Sequence, residues 1–281
     1  MLESIRVAEP ASTPAESAPA FDLTTLFGIL AGVGLVVGAI AAGEGGLFFL
    51  NWPSVMIVFG GTLGATLINY RFSDLLSVFK VLRKAFTGAT VNYHATIELL
   101  VHLAEKARRE GLLSLEREID LIPDGFTRGG LQFAVDGADP ETIRSILEAE
   151  LAGLEERHKL GQSIFLSMAG FAPAFGMIGT LIGLIQMLQS LDNPAQLGFG
   201  MATALITTFY GAMAAYLFFL PLAGKLANRS REELLAKELV LEGIFAIQNG
   251  DNPRIVREKL MTYIAPKSRV LLPVPQRVRE R

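Results

Sequence analysis

Two long stretches of this chain contain neither lysine nor arginine, one between Arg6 and Arg71 and the other between Lys159 and Lys225. Elsewhere charge is dense, so the gaps do not reflect a general shortage of it. An uncompensated charge at the centre of a bilayer costs about 2.5–3.5 kcal/mol even on insertion scales, and segments that cross lipid exclude it. Hydrophobic residues make up 51% of the sequence and charged residues 19%, with 28 glycines. That is too apolar and too glycine-rich for an ordinary soluble domain.

Each stretch divides into two spans. Leu23 to Ala42 is almost wholly apolar, and at about 1.5 Å per residue it crosses a hydrocarbon core about 30 Å thick. Gly43-Glu44-Gly45-Gly46 breaks it, and Trp52 to Asn69 returns, with Pro53 suited to a first helical turn and Trp52 to the interfacial belt. In the second stretch Ile164 to Leu188 is a span, Leu191-Asp192-Asn193-Pro194 a turn, and Phe199 to Leu222 the return. A cleaved signal peptide is the other reading of the first span. The tail before it, however, carries one Arg against three Glu, and the apolar run is too long.

The remaining segments read as helical. Ile97, Leu100, Val101, Ala104 and Ala107 repeat at helical spacing with charges between them. Asp139-Pro140 supplies a cap and first-turn proline for a helix carrying Ile143, Leu147, Leu151 and Leu154, after a turn at Val135 to Pro140. Arg231 to Gln248 is a helix stopped by Asn249-Gly250, and Asn252-Pro253 caps another running to about Ile264. No alternating pattern of strand length is present. The predicted class is all-α: a polytopic membrane protein with four transmembrane helices in two hairpins and a helical cytoplasmic domain. The predicted organisation is a disordered N-terminal tail (1–22), a hairpin (23–70), a helical domain (71–161), a second hairpin (162–223) and a helical C-terminal region (224–281). Segments 71–161 and 224–281 hold 24 of the 25 Lys and Arg, so the positive-inside rule puts both, and both termini, in the cytoplasm.

Several functions are excluded or left without support. A net charge of −3 gives no overall basic field for nucleic acid, and there is no cysteine for a disulfide, thiolate metal site or thiol nucleophile. His94, His102 and His158 lack metal-ligand spacing, and no phosphate-cradling Gly-Lys-Ser/Thr loop is present. No catalytic constellation and no cofactor site is expected.

Within the two cation-free stretches, once Asp22 ahead of the first span is set aside, the acids are Glu44 and Asp192, both at hairpin turns. An ion path needs an ionisable or oxygen-rich site at membrane depth, so a carboxylate for such a path must come from another protein; a chain that conducts nothing is equally compatible. Hydroxyls do lie in the spans. Thr180 sits in Gly176-Met177-Ile178-Gly179-Thr180-Leu181-Ile182-Gly183, and Thr207-Thr208 precedes Tyr210-Gly211. Threonines in membrane helices commonly bond their own preceding carbonyls, so structural and path roles both stand. Gly28/Gly32, Gly34/Gly38, Gly60/Gly64 and Gly179/Gly183 have the spacing that lets helices approach closely. Pro173 and Pro221 lie in the third and fourth spans, where each frees a backbone carbonyl and bends or hinges its helix. Arg108, Arg109 and Glu116 cluster at the end of the helix begun near Ala95, and read alone they are a solvated charged face.

The run Pro173-Ala174-Phe175-Gly176-Met177-Ile178-Gly179-Thr180-Leu181-Ile182-Gly183-Leu184 strongly resembles the third span of the flagellar stator family, MotA/PomA, in the MotA/TolQ/ExbB superfamily. Met201 to Gly211 resembles its fourth span, and Ala107 to Glu116, Asp136-Gly137, Glu156-Arg157-His158 and Asn252 to Leu260 match in the family's order. The resemblance covers roughly residues 23–265 and implies a bacterial inner-membrane complex. Five such subunits surround a dimer of a MotB/PomB-like single-span partner, which supplies the ion-binding aspartate and a peptidoglycan anchor. It implies that Thr180, Thr207 and Thr208 line the ion path, that Pro173 and Pro221 couple ion passage to movement, and that Arg108, Arg109 and Glu116 face the rotor's FliG-like switch protein. The threonine at 180 resembles the sodium-driven branch, so sodium is expected ahead of protons. One departure concerns Gly170, which stands where many relatives carry an acid three residues before the proline. The related TolQ/ExbB energisers of outer-membrane processes are the alternative, but their three-span plan fits two hairpins less well. A secondary transporter working alone would show a repeat-related midplane site, and no convincing internal repeat is present.

Overall fold

The computed structural model describes residues 23–43, 46–77, 92–192, 194–264 and 266. The N-terminal tail, Glu44, Asn193 and the end of the C-terminal region lie outside the described residues. The described residues are helices and short turns, with no sheet. In chain order the α-helices are α1 (Leu23–Ala42), α2 (Trp52–Val55), α3 (Gly61–Asn69), α4 (Tyr93–Glu110), α5 (Glu116–Ile119), α6 (Gly125–Val135), α7 (Pro140–Gln189), α8 (Pro194–Met213), α9 (Leu220–Gln248) and α10 (Pro253–Met261). A π-helical stretch, Met56–Gly60, joins α2 to α3, and another, Ala214–Phe219, joins α8 to α9. Four helical runs are long and apolar enough to cross a membrane: Thr24–Ala42, Trp52–Asn69, and parts of Pro140–Gln189 and Leu197–Gln248.

Two of these runs correct the sequence reading. The third span and the helix opened by Asp139-Pro140 are one helix of 50 residues, about 75 Å at 1.5 Å per residue. The fourth span likewise continues into the helix expected to begin at Arg231. Its proline does not end it: Pro221 has no N–H to give the Leu217 carbonyl, and its ring crowds that oxygen. The π-helical stretch immediately before it widens the ladder enough to pass. Pro173 lies within α7 without terminating it.

The chain divides into two compact units. The first draws on residues within 89–154 and 231–281, and packs Leu100, Leu103, Leu131, Ile143, Leu147, Leu239, Ile244 and Leu260 into one core. Glycines let its helices close: a methyl on Gly130 would lie 2.5 Å from Ile244 Cδ1, and one on Gly243 would lie 2.7 Å from Leu100 Cδ1. Arg257 on α10 makes a two-pronged ion pair with Glu98 on α4, which raises the already high guanidinium pKa further. Gly250, at φ 68°, adopts the left-handed turn that stops α9 after Gln248.

Asp124 caps α6. Its carboxylate accepts from the Thr127 amide at 2.9 Å and hydroxyl at 2.5 Å, with Lys237 Nζ 3.4 Å away. Partial burial pushes this carboxyl up, but the Thr127 hydrogen bonds and the Lys237 charge together outweigh it and hold its pKa below the usual value. A depressed folded pKa stabilises above the unfolded value, about 3.9, and that contribution is lost as pH falls through the folded one. Asp124→Ala should therefore cost about 1 kcal/mol, as lost caps do. Calorimetry of the detergent-solubilised protein should show this deficit at neutral pH and see it shrink on acidification through and below the carboxylate range. A deficit that grew toward low pH would contradict the capping role.

The second unit draws on residues within 19–88 and 155–230. Its outward faces are apolar, with Phe27, Leu30, Leu35, Leu181 and Leu205 all more than half exposed, as lipid or a neighbouring span requires. Tyr70 at the end of the second span is hydrogen-bonded to Ser167 on α7 at 2.8 Å, and His158 Nδ1 to Ser230 at 2.9 Å.

Candidate functional site

Two places carry the residues that the sequence singles out, one in each unit. In the second unit α7 and α8 approach backbone to backbone. A methyl on Gly183 would lie 2.5 Å from the Gly200 carbonyl oxygen, one on Gly200 2.6 Å from the Gly183 oxygen, and one on Gly211 2.6 Å from the Ala172 oxygen. Among the spaced glycine pairs, Gly179/Gly183 meets α8 closely at both positions, Gly179 against the Thr207 side chain and Gly183 against the Gly200 and Ala204 backbone. Gly32 meets Leu217, whereas Gly28, Gly34, Gly38, Gly60 and Gly64 meet nothing within 4 Å of an added methyl. Four-residue glycine spacing does not mark Gly200 and Gly211, although small residues at 200, 204 and 211 on α8 could have marked that face.

This close register brings Thr180 of α7 against Thr208 of α8, with hydroxyl oxygens 2.6 Å apart. Thr180 Oγ1 also lies 3.1 Å from the Gly176 oxygen and 3.2 Å from the Ala204 oxygen, and Thr208 Oγ1 lies 3.3 Å from the Ala204 oxygen. Each hydroxyl has one hydrogen and two lone pairs. One hydrogen joins the pair and the other goes to a helix carbonyl, so three of the four lone pairs stay uncommitted. The pair is therefore a net acceptor, fit to face a cation or a proton-bearing group. Thr208 is exposed and Thr180 half-buried. Thr207 is placed differently: it is fully buried, its hydroxyl donates to the Thr203 and Ala204 carbonyls, and its side chain packs against Gly179. Pro173 sits two turns below Thr180 on α7, where its Cα would be 3.1 Å from a methyl on Gly211. Next to Thr208, Phe209 meets Phe49 edge-on at 5.7 Å, and the Tyr210 hydroxyl donates to the Phe49 carbonyl. Gly170 is exposed, and a methyl added there would meet nothing within 4 Å.

In the first unit Arg108 and Arg109 occupy the last turn of α4, and Gly111, at φ 85°, reverses the chain into a tight 3-10 turn, Leu112–Leu115, ahead of Glu116. Only glycine adopts that backbone readily. The return is clamped by Glu118, which lies 2.6 Å from Lys106 and 3.3 Å from His102 on α4. Arg108 and Glu116 are exposed and make no ion pair within 4 Å among the described residues, and Arg109 has only a long contact, 3.8 Å, with Glu105 one turn back. Charges of both signs thus stand unneutralised on one tip. Among the described residues no three His, Cys, Asp or Glu side chains gather as a metal ion would require.

Four membrane-length helices joined to a helical unit define a multi-pass membrane protein with a hydroxyl pair between its third and fourth spans. The sequence model of the MotA/TolQ/ExbB proton channel family matches residues 118–239, and that of the Motility protein A N-terminal region matches residues 26–111. The chain is 41% identical over 250 residues to Motility protein A of Treponema pallidum, covering 88% of this chain and 96% of the relative. It is 42% identical over 252 residues to Motility protein A of Borreliella burgdorferi, with the same coverages. The structure of the flagellar MotAB stator complex from Bacillus subtilis superposes with a TM-score of 0.82 at 34% identity, covering 89% of this chain and 98% of that one. The chain belongs to the MotA/TolQ/ExbB proton channel family, and within it is like the flagellar stator subunits.

Proposed function

We propose that this protein is a stator subunit of a bacterial flagellar motor, converting ion flow across the inner membrane into torque. The Thr180–Thr208 pair carries the reading: it offers acceptor oxygens at the depth of the spans in a chain whose spans contain no carboxylate. The missing carboxylate then belongs to a single-span, peptidoglycan-anchored partner of the MotB/PomB kind. Several copies of this chain, a pentamer by resemblance, enclose a dimer of that partner. The bare glycine positions on the first two spans, Gly34, Gly38, Gly60 and Gly64, support further helices packing there. Pro173 and Pro221 transmit the ion's passage as helix movement, and Thr207 holds α8 on α7 rather than touching the ion. Arg108, Arg109 and Glu116 engage the rotor's FliG-like switch protein. Their exposed charges set register and encounter more than affinity, since each exposed pair is worth only about 0–1 kcal/mol. The matched Motility protein A N-terminal region supports this reading over a TolQ/ExbB-like energiser.

The test is dependence on the partner. Vesicles holding the purified chain alone should pass neither sodium nor protons, and co-reconstitution with the single-span partner should restore flux. Selective conduction by the chain alone would overturn the proposal.

A further inference from the structure

We infer that Leu113 is the apolar anchor of the rotor-facing tip, seated in an apolar recess of the switch protein whose rim is charged oppositely to Arg108, Arg109 and Glu116. The inference rests on the stator reading and adds to it a residue that charge alone does not indicate. The tip is a Leu-Leu-Ser-Leu turn whose leucines have different fates. Leu115 is fully buried in the core of its unit and Leu112 is partly buried against it. Leu113, between them, is 74% exposed. The backbone that presents it is fixed: Ser114 donates from its hydroxyl to the Gly111 carbonyl at 2.7 Å, and Glu118 ties the returning chain to Lys106. A side chain held outward by a rigid turn loses little entropy when it is buried by a partner.

A single exposed leucine is ordinary; its surroundings are not. Within five residues on the amino side stand Arg108, Arg109 and Glu110, and within four on the carboxyl side Glu116 and Arg117, all exposed. Arg108 and Glu116 have no ion-pair partner among the described residues. An apolar centre inside a polar rim is the anatomy of a protein interface, where the rim excludes water from the anchor. The mixed signs also identify the occupant. An anionic lipid surface would be met by cations alone, and Glu110 and Glu116 would oppose it. A protein surface with an apolar recess and both signs on its rim satisfies every group on the tip.

The experiment uses the full chain with its partner, in cells lacking their own stator, reading rotation of a bead-loaded flagellum and the amount and size of the membrane complex. Leu113→Asp should cut high-load torque by more than half and reduce stator occupancy at motors about tenfold, the loss that removal of an interface anchor produces. Leu113→Met should retain most of both, and complex amount and size should match the parent in each variant. Parental torque in Leu113→Asp overturns the inference. A fall in complex amount or size also overturns it, because the residue then supports folding or contacts a second copy of the chain. The double charge reversal of Arg109 and Glu116 separates the two levels. If it abolishes torque while Leu113→Asp does not, only the anchor is wrong; if neither matters, the rotor-facing reading of the tip fails as well.

Discussion

Gly183→Val and Gly211→Val should each leave little or no intact complex in the membrane. The first atom of the new side chain would sit 2.5 Å from the Gly200 carbonyl oxygen and 2.6 Å from the Ala204 nitrogen in one case, and 2.6 Å from the Ala172 oxygen in the other. These obstacles are backbone atoms of a facing helix, so no rotamer change relieves the clash and the helices must part. Overpacking a well-filled site typically costs about 1–3 kcal/mol. Here the cost should be at or above the top of that range, because separation also breaks the Thr180–Thr208 contact and the packing of Thr207 on Gly179. Gly224→Ala is the control, since that glycine is exposed and a methyl there meets nothing within 4 Å. The measurement is the quantity and thermal stability of detergent-extracted complex. Parental stability in Gly183→Val would mean that α7 and α8 do not pack as described.

That close approach also explains what the sequence could and could not disclose. The four spans were legible because lipid imposes one requirement, continuous apolar length without cations, and residues 23–42 and 52–69 meet it with sharp ends. The unity of α7 was not legible. Composition reports the solvent around a helix, and it changes abruptly after Lys159, but the backbone hydrogen bonds run on regardless, and no proline stands between Pro140 and Pro173. Pro221 also lies within its helical run without ending it, shortly after the π-helical stretch Ala214–Phe219 has widened the ladder.

The candidate site divides along the same line. That Thr180, Thr207 and Thr208 carry hydroxyls is sequence information. Which of them meet depends on the rotation and register of two antiparallel helices, set by Gly183 against Gly200. Adjacent residues 207 and 208 point about 100° apart on a helix, so one packs on Gly179 while the other reaches Thr180. At the cytoplasmic tip the charges were visible, but which of them pair was not: Glu118, not Glu116, is drawn in beside Lys106 and His102.

Thr180→Ala should abolish sodium-dependent rotation while leaving the amount of complex in the membrane unchanged, and Thr180→Ser should retain much of it. Sodium crosses only if oxygen atoms replace its hydration shell, and the Thr180–Thr208 pair offers three uncommitted lone pairs beside whatever carboxylate a partner supplies. Alanine at 180 removes one oxygen ligand outright and leaves Thr208 alone, its hydrogen directed to the Ala204 carbonyl. Serine keeps the oxygen and loses only a methyl. Packing predicts little harm to assembly from either change, since Thr180 is half-buried and the intimate contacts lie at Gly179 and Gly183. Swimming speed measured against sodium concentration at fixed pH, with and without a protonophore, identifies the ion. A sodium-driven motor should speed up with sodium, saturate, and survive the protonophore. A speed indifferent to sodium but lost with the protonophore would make the proton the coupling ion. Thr180→Ala should then slow rotation without stopping it, because a proton passes between carboxylate and water without a shell of ligands and needs the hydroxyl only as a relay.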